Sequence, residues 1–164
     1  MVALILFVLW RMKKRNISTN DLGSLAVRKK DVIFGTLFLA LFIALEELYM
    51  WILGIEMPIG FIHFMLSKPI VLGLIATVVI APVVEEFIFR GFLYSQLSPT
   101  KLGPWGAITL SSLLWTVIHF QYEPKILLIL FIFGLFLGYV RMAYRSLSLP
   151  IILHAINNIF GKKH

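Results

Sequence analysis

Long apolar stretches recur along this chain and constrain its fold more than any other feature. They cover about 32–53, 69–97, 105–121 and 125–145, and a shorter one follows at about 150–161. A helix needs about 20 apolar residues to cross the roughly 30 Å hydrocarbon layer of a membrane. Inside that layer only helices and closed barrels satisfy every backbone polar group. The stretches are therefore predicted to be membrane helices.

The composition supports this interpretation. Hydrophobic residues make up 60% of the 164 residues and charged residues 14%, whereas soluble domains carry about 45–50% apolar and about 25% charged residues. We predict an all-α fold, a polytopic transmembrane helical bundle of about five full spans plus a short N-terminal apolar segment, forming one domain over 1–164. Without cysteine, disulfides and thiolate chemistry are excluded, and any reaction must use oxygen and nitrogen atoms.

The basic residues lie next to the apolar stretches and give a net charge of +7. No basic patch is interleaved with aromatic residues, so the expected partner is the lipid bilayer and no nucleic acid. Counted over alternate loops, ten Lys and Arg fall on the side of 11–30 against four on the other, which predicts that this side is cytoplasmic. The ten are Arg11, Lys13, Lys14, Arg15, Arg28, Lys29, Lys30, Lys101, Arg141 and Arg145, and the four are Lys68, Lys125, Lys162 and Lys163.

The segments outside the long stretches are short. Residues 1–10 are apolar but too few to span, and their basic residues follow them, unlike those of a signal peptide. We expect this segment to stay attached, as an anchor or the end of a longer helix. Residues 16–30 are predicted to be a polar loop, with Asp31 or a neighbour capping the next helix. His63 in FIHFML, and Glu46 with Glu47, are expected at the membrane interface, with a substrate gate as the alternative for the two glutamates.

Three ionisable residues fall near the middle of one apolar stretch. Each of Glu85, Glu86 and Arg90 costs roughly 2.5–3.5 kcal/mol at that depth, so they must face protein or water. Glu86 and Arg90 are four residues apart and share a helical face, which favours an ion pair, whereas Glu85 points about 100° away toward another helix. Pro82 precedes them and is predicted to kink the helix.

Two further apolar stretches each carry polar residues. His119 follows Trp115 by one helical turn, and Asn158 follows His154 by one turn. Carboxylates and imidazoles that converge from three helices are suited to activating a water molecule, with or without a metal ion. Separately, each feature has a structural alternative. The Glu86–Arg90 pair can join helices, His119 can be a core or interfacial histidine, and His154 with Asn158 can form interhelical hydrogen bonds.

The segments EEFIFRG, WTVIH and HAINN resemble the three motifs of the CPBP family, which includes type II CAAX prenyl endopeptidases and bacteriocin-processing or self-immunity (Abi) proteins. The resemblance covers about 69–161. It implies a membrane-embedded peptidase that hydrolyses a peptide bond in a hydrophobic or lipidated peptide. By matching positions, Glu85 with His119 would activate water, and His154 with Asn158 would stabilise the oxyanion.

The resemblance leaves several alternatives open. Glu85, His119 and His154 are candidate ligands of a divalent metal such as zinc, and a metal-free mechanism fits the same residues. A second copy of the chain is a candidate partner. The expected location is a bacterial plasma membrane, crossed several times. The rival functions are a non-catalytic immunity or scaffold protein of the same fold, and a small proton-relay or transporter subunit.

A distance argument concerns the last connection. His154 must return to the level of His119 within nine residues of the preceding helix, and nine helical residues rise only about 14 Å. Extended backbone rises about 3.3 Å per residue. We therefore predict extended or irregular backbone over 146–150, and a helix beginning before Ser146 would argue against a common site.

Overall fold

A computed structural model of the chain describes residues 2–55 and 70–160. Within these ranges the regular structure is helical and no strand is present, so the predicted all-α class is confirmed. The helices, numbered here in chain order, are α1 (Val2–Arg15), α2 (Lys29–Leu53), α3 (from Ile70 to Leu97), α4 (Gly103–Val117), α5 (Pro124–Tyr144) and α6 (Ser148–Phe160).

Three of these helices are long and apolar enough to cross a membrane, namely α2, α5 and Val71–Leu97 of α3. The predicted count of about five full spans is not confirmed. Helix α4 has 15 residues and α6 has 13, so at 1.5 Å per residue they measure about 22 Å and about 20 Å. The apolar stretch at 105–121 continues beyond the end of α4, because the helix ends at Val117 and the chain then turns.

Helix α3 changes its hydrogen-bonding pattern twice. The segments Ile75–Ile80 and Phe87–Leu93 are π-helical and flank the α-helical segment Ala81–Glu86. Pro82 lies at the start of that α-helical segment and has no N–H to donate. A kink was predicted there, and the structure shows a π-helical segment just before the proline. Such wide turns are frequent at functional sites.

The core lies where α3, α4, α5 and α6 meet. Ile108, Trp115, Phe133 and Leu153 are buried there. Helices α4 and α5 approach closely at Gly138, where an added Cβ would lie 2.7 Å from Cγ2 of Ile108. Small residues allow such close packing between membrane helices. Many large apolar side chains on the outer faces are exposed, as expected for surfaces that contact lipid.

The N-terminal part of the chain packs on this core. Val8 and Met12 of α1 are buried, and Leu22 is fully buried in a short 3-10 turn, Thr19–Leu22. The predicted polar loop is thus partly ordered against the bundle. Arg28 occupies the N-cap position of α2 without a side-chain cap, and its Nε donates to Oδ2 of Asp31 at 2.7 Å. Asp31 therefore binds Arg28 from the first helical turn and does not cap the helix.

The connection between α5 and α6 is irregular, as predicted, but shorter. Arg145 has a left-handed backbone (φ 51°), Ser146 forms an isolated parallel bridge with Ser24, and α6 begins at Ser148. The helix thus starts after Ser146, as a common site requires. The prediction that irregular backbone extends to Pro150 is wrong, because the first turn of a helix tolerates proline without loss of a hydrogen bond.

Some expectations fall elsewhere. Two groups of residues with sequence-based expectations lie outside the described residues. They are the segment FIHFML with His63, which is expected at the interface, and the basic residues Lys68, Lys162 and Lys163. Glu46 and Glu47 lie in the second half of α2, and their interfacial role stays a prediction. The assignment of Arg141 to a loop is wrong, because this residue lies in α5 and is buried.

Candidate active site

Glu86 and Arg90 are the most deeply buried charged residues of the described bundle, each with 0% of its surface exposed. Arg90 Nη1 lies 3.0 Å from Glu86 Oε1, so the ion pair predicted from their spacing is present. A charge buried without a partner is strongly destabilising. The pair therefore gives each charge a partner of opposite sign within α3, although Glu86 Oε2 and Arg90 Nε have no hydrogen-bond partner among the described residues.

Arg90 also contacts the two neighbouring helices. Its Nη2 donates to the carbonyl oxygen of Gly134 in α5 at 3.0 Å. Its guanidinium carbon lies 5.0 Å from the ring centroid of Trp115 in α4, a cation–π contact. These contacts on two sides restrict the rotamers of Arg90, and with them the orientation of Glu86.

His154 brings α6 to the same carboxylate. Its Nδ1 lies 2.9 Å from Glu86 Oε1. Because that oxygen is an acceptor already bound by Arg90, we assign the proton to Nδ1, which donates to Glu86 and leaves Nε2 as an acceptor. This Nε2 lies 4.0 Å from Oε2 of Glu85, too far for a direct hydrogen bond.

Glu85 is bound from a different helix than Glu86, as their 100° separation predicts. The indole Nε1–H of Trp115 donates to Glu85 Oε2 at 2.6 Å. Glu85, Glu86, Arg90 and His154 thus lie together around Trp115, and they are here called the polar cluster. If Glu85 lay more than about 10 Å from both histidines, a shared network would be excluded. His154 lies only 4.0 Å from Glu85, so such a network is possible between these two residues.

His119 lies at the edge of the polar cluster. Its Nδ1 is 2.9 Å from the carbonyl oxygen of Trp115, and its ring stands edge-on to the Trp115 ring at 5.0 Å. The His154 ring contacts the same indole at 5.5 Å. Among residues 2–55 and 70–160, no hydrogen bond or ion pair joins His119 to Glu85. The two imidazoles thus share Trp115, but only His154 is in direct contact with a glutamate.

Asn158 contributes a bond between helices. Its Nδ2 donates to the carbonyl oxygen of Thr77 at 2.8 Å. Thr77 belongs to the first π-helical segment of α3, so this bond anchors the end of α6 beside that segment. The second amide hydrogen of Asn158 remains for another acceptor, and its assignment to an oxyanion stays a prediction.

Two neighbours of the polar cluster were not identified as site residues from the sequence. The sequence places Trp115 one helical turn before His119 but does not indicate that its N–H binds Glu85. Tyr122 lies in the loop between α4 and α5, and its ring stacks on His119 at 6.3 Å. Burial raises the pKa of the Tyr122 phenol, and the negative charge of Glu85 raises it further, against a hydrogen bond with Gln121 that lowers it. The phenol is therefore neutral at pH 7. The three-residue spacing between His119 and Tyr122 is the sequence signal that could have indicated Tyr122 as a neighbour of the site.

The polar cluster and His119 offer carboxylate and imidazole groups that could bind a metal ion. A catalytic zinc site uses three protein ligands within about 2.3 Å of the ion. In the described part of the chain no three His, Asp or Glu side chains are grouped to bind one ion. Glu85, His119 and His154 are not grouped in this way, and their role as metal ligands stays a prediction for chemical analysis.

A comparison with known proteins agrees with the three motifs. The family model described as type II CAAX prenyl endopeptidase Rce1-like matches residues 66–160, which include the described part of α3 and all of α4, α5 and α6. No curated protein and no solved structure matches the chain. Because the matched region covers more than half of the sequence and includes every member of the polar cluster, the chain belongs to the Rce1-like family of type II CAAX prenyl endopeptidases.

Proposed function

We propose that this protein is an intramembrane endopeptidase in which a glutamate and a histidine activate water. Family membership supports a CAAX-type protease and a peptide substrate in the membrane. The observation that carries the mechanism is the 4.0 Å separation of Glu85 Oε2 and His154 Nε2. Both atoms are hydrogen-bond acceptors that face each other without a direct bond.

The separation of these two atoms suits a single bridging water molecule. A water about 2.8 Å from each would have its two acceptors separated by an angle of about 90°, close to its own H–O–H angle. It would donate one hydrogen to Glu85 and the other to His154. Its lone pairs then face outward, toward a substrate carbonyl carbon.

The neighbouring residues orient the two acceptors. Glu86, bound to Arg90, accepts a hydrogen bond from Nδ1–H of His154, which orients the ring with Nε2 toward Glu85. The Trp115 N–H fixes one carboxylate oxygen of Glu85. Such preorganised contacts lower the barrier because they need no rearrangement during the reaction.

The proposed reaction is a general-base hydrolysis. As the water oxygen bonds to the carbonyl carbon, Glu85 takes one of its protons, and a tetrahedral oxyanion forms. Glu85 then returns this proton to the amide nitrogen as the C–N bond breaks, which yields a carboxylic acid and an amine. The remaining amide hydrogen of Asn158 is our proposed donor to the oxyanion.

His119 defines a second arrangement of the same chemistry. In the pairing implied by the family resemblance, Glu85 and His119 activate the water, and His154 with Asn158 binds the oxyanion. The contacts favour His154 as the partner of Glu85, because His119 donates Nδ1–H to Trp115 and has no direct bond to either glutamate. Comparing His154→Gln with His119→Gln distinguishes the two: our arrangement predicts the larger loss of kcat for His154→Gln.

The substrate follows from the location of the polar cluster. Its members lie inside a bundle with at least three membrane-length helices, so the peptide must enter from the bilayer or its surface. We propose a hydrophobic or lipidated peptide, a multi-pass protein of the bacterial plasma membrane, and α4 and α6 as further, shorter membrane-embedded helices. Maturation of a secreted peptide is one process that needs such a protease.

The test uses purified protein in detergent and an internally quenched peptide that ends in a farnesylated CAAX sequence. Glu85→Gln should lower kcat by about 100-fold or more, since general-base catalysis contributes about 10²–10⁴-fold. Glu123→Gln, an exposed glutamate in the loop before α5, is the matched control and should cleave normally. Unchanged cleavage by Glu85→Gln would contradict the mechanism. Binding of the peptide without cleavage by the unmodified protein would instead support the immunity or scaffold alternative.

A further inference from the structure

A second buried arginine, Arg141, lies in α5 outside the polar cluster. Only 7% of its surface is exposed. Its side chain donates hydrogen bonds to backbone carbonyl oxygens, and within the described ranges it forms no salt bridge with a carboxylate. A buried cation bound in this way connects backbone segments, and the segments it connects indicate its role.

One of these segments is α3 at Arg90. Arg141 Nε donates to the carbonyl oxygen of Arg90 at 3.2 Å, and its guanidinium carbon lies 5.3 Å from the ring centroid of Tyr94. Helix α5 also accepts from the Arg90 side chain through the carbonyl of Gly134. Gly134 and Arg141 are seven residues apart, two turns along one face of α5, so this face contacts both the side chain and the backbone of Arg90.

The other segment is the N-terminal turn. Arg141 Nη2 donates to the carbonyl oxygen of Leu22 at 2.9 Å. Gly23 follows with φ 117°, and a Cβ there would lie 2.5 Å from Arg141 Nη2. Glycine is therefore needed for its backbone conformation and for the space that the guanidinium occupies.

The same turn continues to the start of α6. Ser24 N donates to the carbonyl oxygen of Arg145 at 3.1 Å, and Leu147 N donates to that of Ser24 at 2.8 Å. These bonds precede Ser148, where α6 begins, and Ser148 Oγ donates to the carbonyl oxygen of Leu25. The N-terminal turn thus contacts the connection that sets the height of His154.

We propose that Arg141, Leu22, Gly23 and Ser24, here called the clasp, position the polar cluster. Arg141 acts through the backbone of Arg90, whose side chain binds Glu86, and Ser24 acts through the start of α6, which carries His154. A planar guanidinium donates in two directions at once, which a lysine ammonium does not reproduce in the same geometry. The expected change in kcat rests on the proposed function, whereas the expected change in amide hydrogen exchange does not.

The experiment compares Arg141→Lys, Arg141→Met and Gly23→Ala in the full chain. All three should lower kcat by about 10- to 100-fold with KM changed less than about twofold, because a misplacement of about 1 Å lowers rates on this scale. Arg145→Met is the matched control, since Arg145 is exposed, four residues away, and contributes only a backbone oxygen to the turn. It should retain normal kcat.

Amide hydrogen exchange gives the readout that is independent of activity. In Arg141→Met, the amides of 22–25 and of Phe87–Leu93 should exchange faster, while those of the α4 segment far from the clasp should not. Unchanged exchange at 22–25 and 87–93 would overturn the inference, whether or not the protein is a peptidase. A loss of kcat that merely follows the folded fraction, or a change confined to KM, would overturn it too. Absence of cleavage in the unmodified protein would contradict only the proposed function.

Discussion

At the scale of single residues, Glu86 is where the contacts of the polar cluster converge. Its Oε1 accepts from Arg90 within α3 and from His154 in α6. The first contact was predictable, because residues four apart on a helix face each other. The second was not, since a contact between helices depends on their rotation and relative height, which motif spacing does not give. The predicted partnership of His154 with Asn158 therefore missed Glu86.

The Trp115 hydrogen bond can be tested without removing the aromatic ring. Trp115→Phe deletes the Nε1–H that binds Glu85. A hydrogen bond to a charged group contributes about 1.5–3 kcal/mol, so kcat/KM should fall by about 10- to 150-fold. Trp105→Phe is the control, because Trp105 is mostly exposed. Equal activities of the two variants, measured with the farnesylated peptide, would show that this bond does not orient Glu85.

The ion pair makes a prediction about stability. Arg90→Met leaves Glu86 as a buried charge without its arginine, which should destabilise the protein by about 3–5 kcal/mol. Arg90→Met combined with Glu86→Gln should recover much of this loss, because the uncompensated charge is removed. Arg28→Met breaks a pair whose arginine is exposed and whose Asp31 is mostly buried, so it should cost clearly less stability than Arg90→Met. Denaturant unfolding in detergent measures all three, and a double variant no more stable than Arg90→Met would contradict the buried-charge explanation.

At the scale of helices, the sequence predicts positions better than local geometry. The apolar stretches locate every helix from α2 to α6 within a few residues, because burial in lipid or protein requires apolar side chains. The start of α6 after Ser146 follows from a distance argument and is confirmed. The π-helical segments of α3 were not predictable, since proline indicates that a helix is disturbed but not how its hydrogen bonds rearrange.

The contact between α4 and α5 depends on Gly134. An added Cβ would lie 3.0 Å from Ser112 Cβ and 3.1 Å from Arg90 Nη2. Gly134→Ala should therefore separate the helices or displace Arg90, with about 1–3 kcal/mol of lost stability and lower kcat. Gly106→Ala is the control, because its new Cβ would meet only Leu102, with Cβ at 3.1 Å, and this half-exposed residue lies at the start of α4 and does not contact Arg90. Full activity and stability of Gly134→Ala would show that α5 does not position Arg90.

At the scale of the whole molecule, polar atoms from several helices meet inside a largely apolar bundle. The composition predicts the bundle, and the three motifs predict that Glu85, Glu86, His119 and His154 with Asn158 converge. Both glutamates lie next to His154, whereas His119 binds the backbone of Trp115 and Asn158 that of Thr77. Neither the composition nor the motifs predict that α1 and the N-terminal turn pack against α3. That packing depends on a few buried contacts, above all those of Leu22 and Arg141. Leu22 lies in a polar stretch typical of a loop, and Arg141 lies near the end of an apolar stretch, so neither position indicates the contact.

The measurement that tests the central claim most directly is peptide cleavage in heavy-oxygen water by protein treated with a metal chelator, followed by mass spectrometry of the product. A glutamate-activated water predicts continued cleavage, one heavy oxygen in the new carboxyl terminus, and no labelled product from Glu85→Gln. Intact peptide from the untreated protein, or activity that is lost on chelation and restored by zinc, would contradict the account.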